Sequence, residues 1–216
     1  RPHTARKRGR VPPFPMTARL LALTLLVASP SLAQTARPAT SPTNEASRLG
    51  AEYFVQRAGA SWTYQLANGS KGRVTISSVV DWRSHVSVSL GKTSGSATWR
   101  VKEGTWFERS GLRGGGEAVV LPASMTRGTR WQGPASMDRG AGKQSVFEVV
   151  ALEAQVELSN GIVVEHCLAV LEMAPEGGDG FTHYYAPNIG KVAAQGPDGW
   201  LYRLLEFRSG GRGHSE

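Results

Sequence analysis

The chain has 216 residues, 25 Lys and Arg against 17 Asp and Glu, and a single cysteine, Cys167. One cysteine excludes an internal disulfide framework, so packing alone must hold the fold. The net charge of +8 points at first to an anionic partner. However, Arg1, Arg6, Lys7, Arg8, Arg10 and Arg19 all precede residue 34 with no acid among them, leaving 19 basic against 17 acidic residues beyond it. That balance argues against nucleic acid as a partner.

Taken in chain order, residues 1–15 supply only charge and proline, and Met16 opens a complete leader unaided. Residues 1–15 are therefore expected to lie upstream of the true start. In residues 16–33, Arg19 precedes the apolar run LLALTLLVA at 20–28, and Ser31-Leu32-Ala33 closes it with small residues. A basic start, a short apolar centre and such an exit define a secretory signal peptide. The run falls well short of the roughly 20 residues that span a bilayer, which implies no transmembrane anchor. The expectation is export to the periplasm or beyond, with cleavage near Ala33. Cys167 lies far from that site, so no lipid-attachment cysteine is at hand. Residues 34–44, rich in Thr, Ala, Pro and Ser, read as a disordered lead-in. Residues 45–208 read as a single β domain and 209–216 as a flexible tail.

Strand signals dominate from residue 60 onward. Asn68-Gly69, Asn160-Gly161 and Asp198-Gly199 sit between apolar-alternating runs and are expected to form two-residue type I′ hairpin turns. Further strands are expected at 73–80, 84–90, 96–102, 105–109, 118–121 and 191–195. Only residues 45–56 could hold a helix, with Leu49 and Tyr53 on one face, and Gly50 weakens it.

One hairpin can be worked out in full. With Asn160-Gly161 as a two-residue turn, Leu158 faces Val163, Val156 faces Glu165, Ala154 faces Cys167, Leu152 faces Ala169 and Val150 faces Leu171. That face is almost wholly apolar, because paired residues share a side of the sheet. The reverse face is mixed near the turn, with Gln155 opposite His166. Further along it turns apolar with Phe147, Val149, Ala151, Leu168 and Val170. A sheet apolar on both sides must be covered twice, once by an opposite wall and once by a loop, the short helix, a partner chain or a bound apolar ligand.

Three segments carry a resemblance. They are Tyr53-Phe54 with Gly59-x-x-Trp62-x-Tyr64, then Leu121-Pro122 with Gly128-x-x-Trp131, then Tyr184-Tyr185-Ala186-Pro187-x-Ile189-Gly190-x-Val192. Here the chain resembles a loose group of secreted or lipid-anchored bacterial β proteins, although Val55 replaces that group's usual proline. The resemblance implies a curved antiparallel sheet or open barrel, similar to periplasmic carriers that hold lipid chains. It supplies no catalytic residues.

Chemistry-bearing residues are sparse. His85, His166, His183 and His214 show no zinc-ligand spacing, and the lone Cys167 offers no thiolate pair, so no metal site is expected. His183 is the best general-base candidate, and a hydrolase reading rests on it alone. His166 and Cys167 are neighbours in a strand and point to opposite faces, so the imidazole cannot readily activate the thiol. Gly140-Ala141-Gly142-Lys143-Gln144 fails the phosphate-loop spacing, with Met137 and Gln144 where Gly and Ser or Thr belong. Gly114-Gly115-Gly116 reads as a strand-joining tip, and Asn68-Gly69-Ser70 as a turn rather than a glycan acceptor. Five tryptophans follow glycines, at Gly59/Trp62, Gly95/Trp99, Gly104/Trp106, Gly128/Trp131 and Gly199/Trp200, and are expected to brace the sheet.

The expected fold is mainly β, a curved antiparallel sheet or open barrel of about ten strands. The expected role is an exported, non-enzymatic module that binds apolar matter, without cofactor. An envelope interaction domain is the alternative, and a hydrolase ranks below both.

Overall fold

The computed structural model describes residues 47–140 and 142–211. The expected upstream stretch 1–15, the signal peptide 16–33 and the lead-in 34–44 lie outside the described residues. Among the described residues no helix is long and apolar enough to cross a membrane.

Twelve antiparallel strands form one sheet, rather than about ten. They are β1 (Ala60–Leu66), β2 (Lys71–Val80), β3 (Arg83–Leu90), β4 (Thr93–Lys102), β5 (Thr105–Ser110), β6 (Glu117–Leu121), β7 (Arg130–Pro134), β8 (Gln144–Glu157), β9 (Val163–Met173), β10 (Phe181–Ala186), β11 (Gly190–Gly196) and β12 (Gly199–Ser209). β12 thus runs one residue past the expected domain end at 208. The spatial order β6-β5-β4-β3-β2-β1-β12-β11-β10-β9-β8-β7 curls into a nearly closed barrel. The expected mainly β, open-barrel fold is what the chain adopts. Ladders join every pair of consecutive strands except β6 and β7, and β1 pairs with β12.

The unpaired seam is held in three places. At one end the β6–β7 connection is tied to the segment before β1, where Arg48 and Met125 exchange both backbone hydrogen bonds, at 2.9 and 2.8 Å. In the middle the Trp131 indole on β7 donates to Val119 O on β6 at 3.3 Å. At the other end the buried Arg113 guanidinium donates to Ala135 O at 3.1 Å and Pro134 O at 2.6 Å. Trp131 also stacks on Phe147, with centroids 5.3 Å apart.

The helix expected over 45–56 is a four-residue 3-10 turn, Gly50–Tyr53. Tertiary contacts outweigh its local propensity. Arg48 is held in its bridge, and Glu52 O accepts from the Asn188 amide at 2.8 Å. A Cβ on Gly50 would overlap the carbonyl oxygens of Leu121 and Pro122. Tyr53 is fully buried while Leu49 is half exposed, so the two do not share a face.

The turns also differ from expectation. At Asn68-Gly69 and Asn160-Gly161, the loops span residues 67–69 and 159–161. Gly69 and Gly161 take φ of 81° and 80°, and the bonds Gly69 N→Leu66 O and Gly161 N→Leu158 O close each loop. This is the three-residue loop with a glycine bulge. Gly196 pairs with Gly199, so Pro197-Asp198 rather than Asp198-Gly199 forms the third turn. Positive φ at both central residues occurs instead at Asp81-Trp82 and Glu103-Gly104.

The longer loop at 159–161 and three bulges also shift the β8–β9 register. Of the expected pairs only Ala154 with Cys167 survives, while Val149 pairs with Val170, Ala151 with Ala169 and Val156 with Val164. Bulges sharpen twist and bend a strand, and His166 at φ 56° adds to the distortion. The far end of the hairpin consequently folds back over the outside of the sheet. Ser159 N and Oγ bond Leu204 O and Arg203 O, and Arg203 donates to Glu157 O at 3.2 Å.

Both apolar faces are therefore covered. Leu168 and Val170 face inward with Val149, Phe147 and Trp106. Cys167 joins Val156, Leu158 and Ala193 in the other cluster. Ala193 points outward opposite Tyr184 and Arg203, yet it is fully buried. The second cover is the hairpin's own bent end, not the short helix.

Cys167 is fully buried, and burial pushes its thiol pKa up to about 11. A thiol reagent should label native protein far more slowly than unfolded protein. Cys167→Ala should cost about 1 kcal/mol in urea denaturation. Cys167→Asp should cost several times more, because it places an unpaired charge in the packed face.

Candidate functional site

Alternation along β9 to β12 aims a set of polar side chains into the barrel. Glu172 follows Leu168 and Val170 on the inner face of β9, and His183 and Tyr185 flank the outward Tyr184 on β10. Lys191 enters from β11 and Tyr202 from β12. Gly190 precedes Lys191 at φ 89°, where a Cβ would lie 3.3 Å from Tyr53 O, so this turn requires glycine. Asp138 comes from the connection between β7 and β8, and its side chain is only 12% exposed.

Two charged centres meet there. The first is Glu172, which is fully buried and accepts from Ser136 N–H at 2.8 Å, Ser145 Oγ at 2.8 Å and His183 Nε2 at 2.7 Å. Burial alone would raise its pKa, but the His183 bond and charge and the Ser136 backbone N–H hold it down to about 2. The second is Asp138, whose Oδ2 accepts from Tyr202 OH at 2.9 Å and Lys191 Nζ at 3.2 Å. Its burial is likewise overcome by Lys191, His183 and Tyr202, which leave its pKa below the ordinary value. Burial disfavours the Lys191 ammonium, yet Asp138 raises its pKa above the ordinary value.

His183 lies between the two centres. Burial, then the Lys191 charge, push its pKa down against the pull of Glu172 and Asp138. An ionised Glu172 only accepts, so Nε2 carries the proton that bonds it. Nδ1 stands 3.7 Å from Asp138 Oδ2 and has no hydrogen-bond partner.

A cavity of about 80 Å³ adjoins this cluster. Its other wall is apolar and aromatic. Trp62, Trp99, Trp106 and Tyr185 run in sequence with centroids 5.4–6.0 Å apart, beside Val74 and Val88. Trp62 Nε1 donates to Ile189 O at 2.6 Å and Tyr64 OH to Lys191 O at 2.8 Å. The opening and closing segments of the resemblance therefore bond each other directly. Four residues lining the cavity carry buried polar atoms without a partner, namely His183 Nδ1, Ser136 Oγ, Trp106 Nε1 and Tyr53 OH. Such groups ordinarily find a partner in protein or water.

His183 is thus placed with an orienting carboxylate, Glu172. No serine or cysteine hydroxyl or thiol among the described residues reaches its free nitrogen. His166 is exposed and bonds Glu153, while Cys167 is buried on the other side, so the two do not meet. Gly140 and Gly142 belong to the β7–β8 connection, Ala141 lies outside the described residues, and Gly115 and Gly116 lie in open space. His85 is exposed, and His214 lies outside the described residues. Among the described residues, no group of three His, Cys, Asp or Glu side chains gathers as a metal ion would need. Glu172, Asp138 and Lys191 escaped sequence reasoning. The available signal was Glu172 itself, a carboxylate in register with Leu168 and Val170 on an apolar face.

The depressed pKa values of His183, Glu172 and Asp138 all tie stability to pH in the same direction. Well above pH 6.5 the contribution is complete. As pH falls, the unfolded chain first takes up a proton at His183 that the folded protein resists. Between about 4.5 and 2 it then takes up one at Glu172. The Glu172 part amounts to roughly 3 kcal/mol. The urea midpoint should fall across both windows, and Glu172→Gln should flatten the lower one.

No protein-family model matches the chain, and no curated protein matches it. Two solved structures overlap it. One is a candidate exported protein with a YmcC-like fold from Bacteroides fragilis, 13% identical, at a TM-score of 0.40. The other is a candidate lipoprotein from Parabacteroides distasonis, 10% identical, at a TM-score of 0.44. Each overlap covers 72% of this chain and 98% of the other. Neither is close enough to carry an assignment across.

Proposed function

We propose that this chain is an exported, non-catalytic binding domain whose barrel interior receives the apolar part of a small amphipathic molecule. One observation carries the reading. Inside a barrel closed by its own loops, an aromatic wall faces a charged cluster, and four buried polar atoms between them lack partners. Sites for small molecules combine such apolar walls with a few convergent polar groups. The leader at residues 16–33 supports export.

The size of the space narrows the ligand. About 80 Å³ is smaller than the roughly 150 Å³ engineered cavity that holds one benzene. A long acyl chain therefore has no room in this form of the protein. A short amphipathic molecule fits once a side chain or two moves aside.

A second reading has its own support. Trp82 is 81% exposed and Val80 54%, at the β2–β3 tip, and Trp82 holds φ 59°, which is uncommon for a bulky residue. An envelope protein that docks there would use this tip as an aromatic anchor.

The protein expressed with its leader in a bacterial host should appear in the periplasmic fraction beginning at Gln34. Native mass spectrometry should show a small adduct that is released on denaturation. A clean mass without adduct, together with a complex that Trp82→Ser abolishes, would replace the first reading by the second.

A further inference from the structure

We propose that the Asp138 carboxylate occupies the head-group position of the interior site, and that the ligand is a small monocarboxylate with an apolar tail. This rests on the reading of the interior as a binding site and names its ligand class.

The first argument is the origin of the groups. Glu172, His183, Lys191 and Tyr202 all come from strands fixed in the sheet, whereas Asp138 comes from a connection. Its neighbours in that connection are tied down without it. Ser136 N–H bonds Glu172, Arg113 holds Pro134 and Ala135, and Arg139 donates to Asp179 O at 3.2 Å. The Asp138 side chain therefore supplies a charge that the surrounding backbone does not need for its own hydrogen bonds.

The second argument is charge. Lys191 and Tyr202 converge on the same oxygen, Oδ2, at 3.2 and 2.9 Å. One ammonium balances one carboxylate, and the guanidinium of Arg113, the other cation lining the cavity, is engaged with Ala135 O and Pro134 O. A dianion such as phosphate would bring a second negative charge beside the ionised Glu172, in a site where charges are poorly screened. The site therefore selects a monoanion.

The third argument is what surrounds the position. Ser136 Oγ, without a partner, lines the same cavity as Lys191 and Tyr202, and so does His183, whose Nδ1 is free. They offer contacts to the second oxygen of an incoming carboxylate. Trp62, Trp99, Val74 and Val88 line the remaining wall and would take its tail. Asp138 satisfies the head-group contacts but has no tail, which leaves the apolar space unfilled.

The test is tryptophan emission in a Trp82→Phe background, which removes the exposed indole and reports mainly on buried ones. Butyrate and butan-1-ol, equal in chain length and different in charge, are the probes. Butyrate should bind more tightly than butanol by about tenfold, since its carboxylate can replace Asp138 on Lys191 and Tyr202 while also reaching His183 Nδ1 and Ser136 Oγ. Asp138→Ala, which removes the internal competitor, should tighten butyrate and leave butanol unchanged. Lys191→Met should erase the preference. Equal binding of the two probes would overturn the carboxylate assignment while leaving the interior site intact. No response to either probe would overturn both. Should Asp138→Ala fail to fold, the comparison of the two probes on the Trp82→Phe protein still decides between these outcomes.

Discussion

The β1–β12 ladder is the pairing on which the rest of the molecule depends. β1 to β6 form one meander and β7 to β12 another, each joined internally by hairpins between consecutive strands. Without residues 60–66 meeting 202–209, the chain would hold two separate six-stranded sheets. The side chains of β1 reinforce that join by reaching past β12 to β11, through the Trp62 and Tyr64 bonds to Ile189 O and Lys191 O. The aromatic wall and the charged cluster face each other only because this ladder closes.

The two charged centres inside the barrel are not equivalent. Glu172 has three donors and a depressed pKa, so its charge is well compensated despite full burial. Breaking such a set by removing one partner is costly, because it leaves an uncompensated charge in low dielectric. The region around Asp138 is looser, with His183 Nδ1 and Ser136 Oγ unpaired nearby. Rigidity on one side and unfilled hydrogen-bonding capacity on the other is the arrangement that the proposed binding role calls for.

Much of this was legible in the residues, and the failures have physical causes. Alternation revealed a mainly β chain and a hairpin apolar on both faces, because period-two patterns report burial directly. Register did not follow, since Asn-Gly serves a three-residue loop as readily as a two-residue one, and bulges leave no sequence mark. His183 stood out as an isolated histidine. Its partners did not, because Asp138 and Lys191 lie 45 residues before it and 8 after, and only barrel closure brings them together. The short helix failed for a related reason. Gly50 and Glu52 are claimed by backbone groups more than 70 residues away.

The unladdered seam has a consequence for how the molecule assembles. Because β6 and β7 are the sheet's borders, the borders lie mid-chain while β1 and β12 lie at the sheet's centre. Each meander can nucleate from local hairpins on its own, since contacts close in sequence cost little loop entropy. The joining of β1 to β12 closes a span of more than 130 residues and is the slow event on that account. Until it happens, two half-barrels each present a bare central edge able to pair with another molecule. Arg203, Glu206 and Arg208 stud the outward side of β12, and charges so placed disfavour that mispairing. They guard the nascent chain in addition to the contacts they make in the finished one, Arg203 with Glu157 O and Arg208 with Glu206.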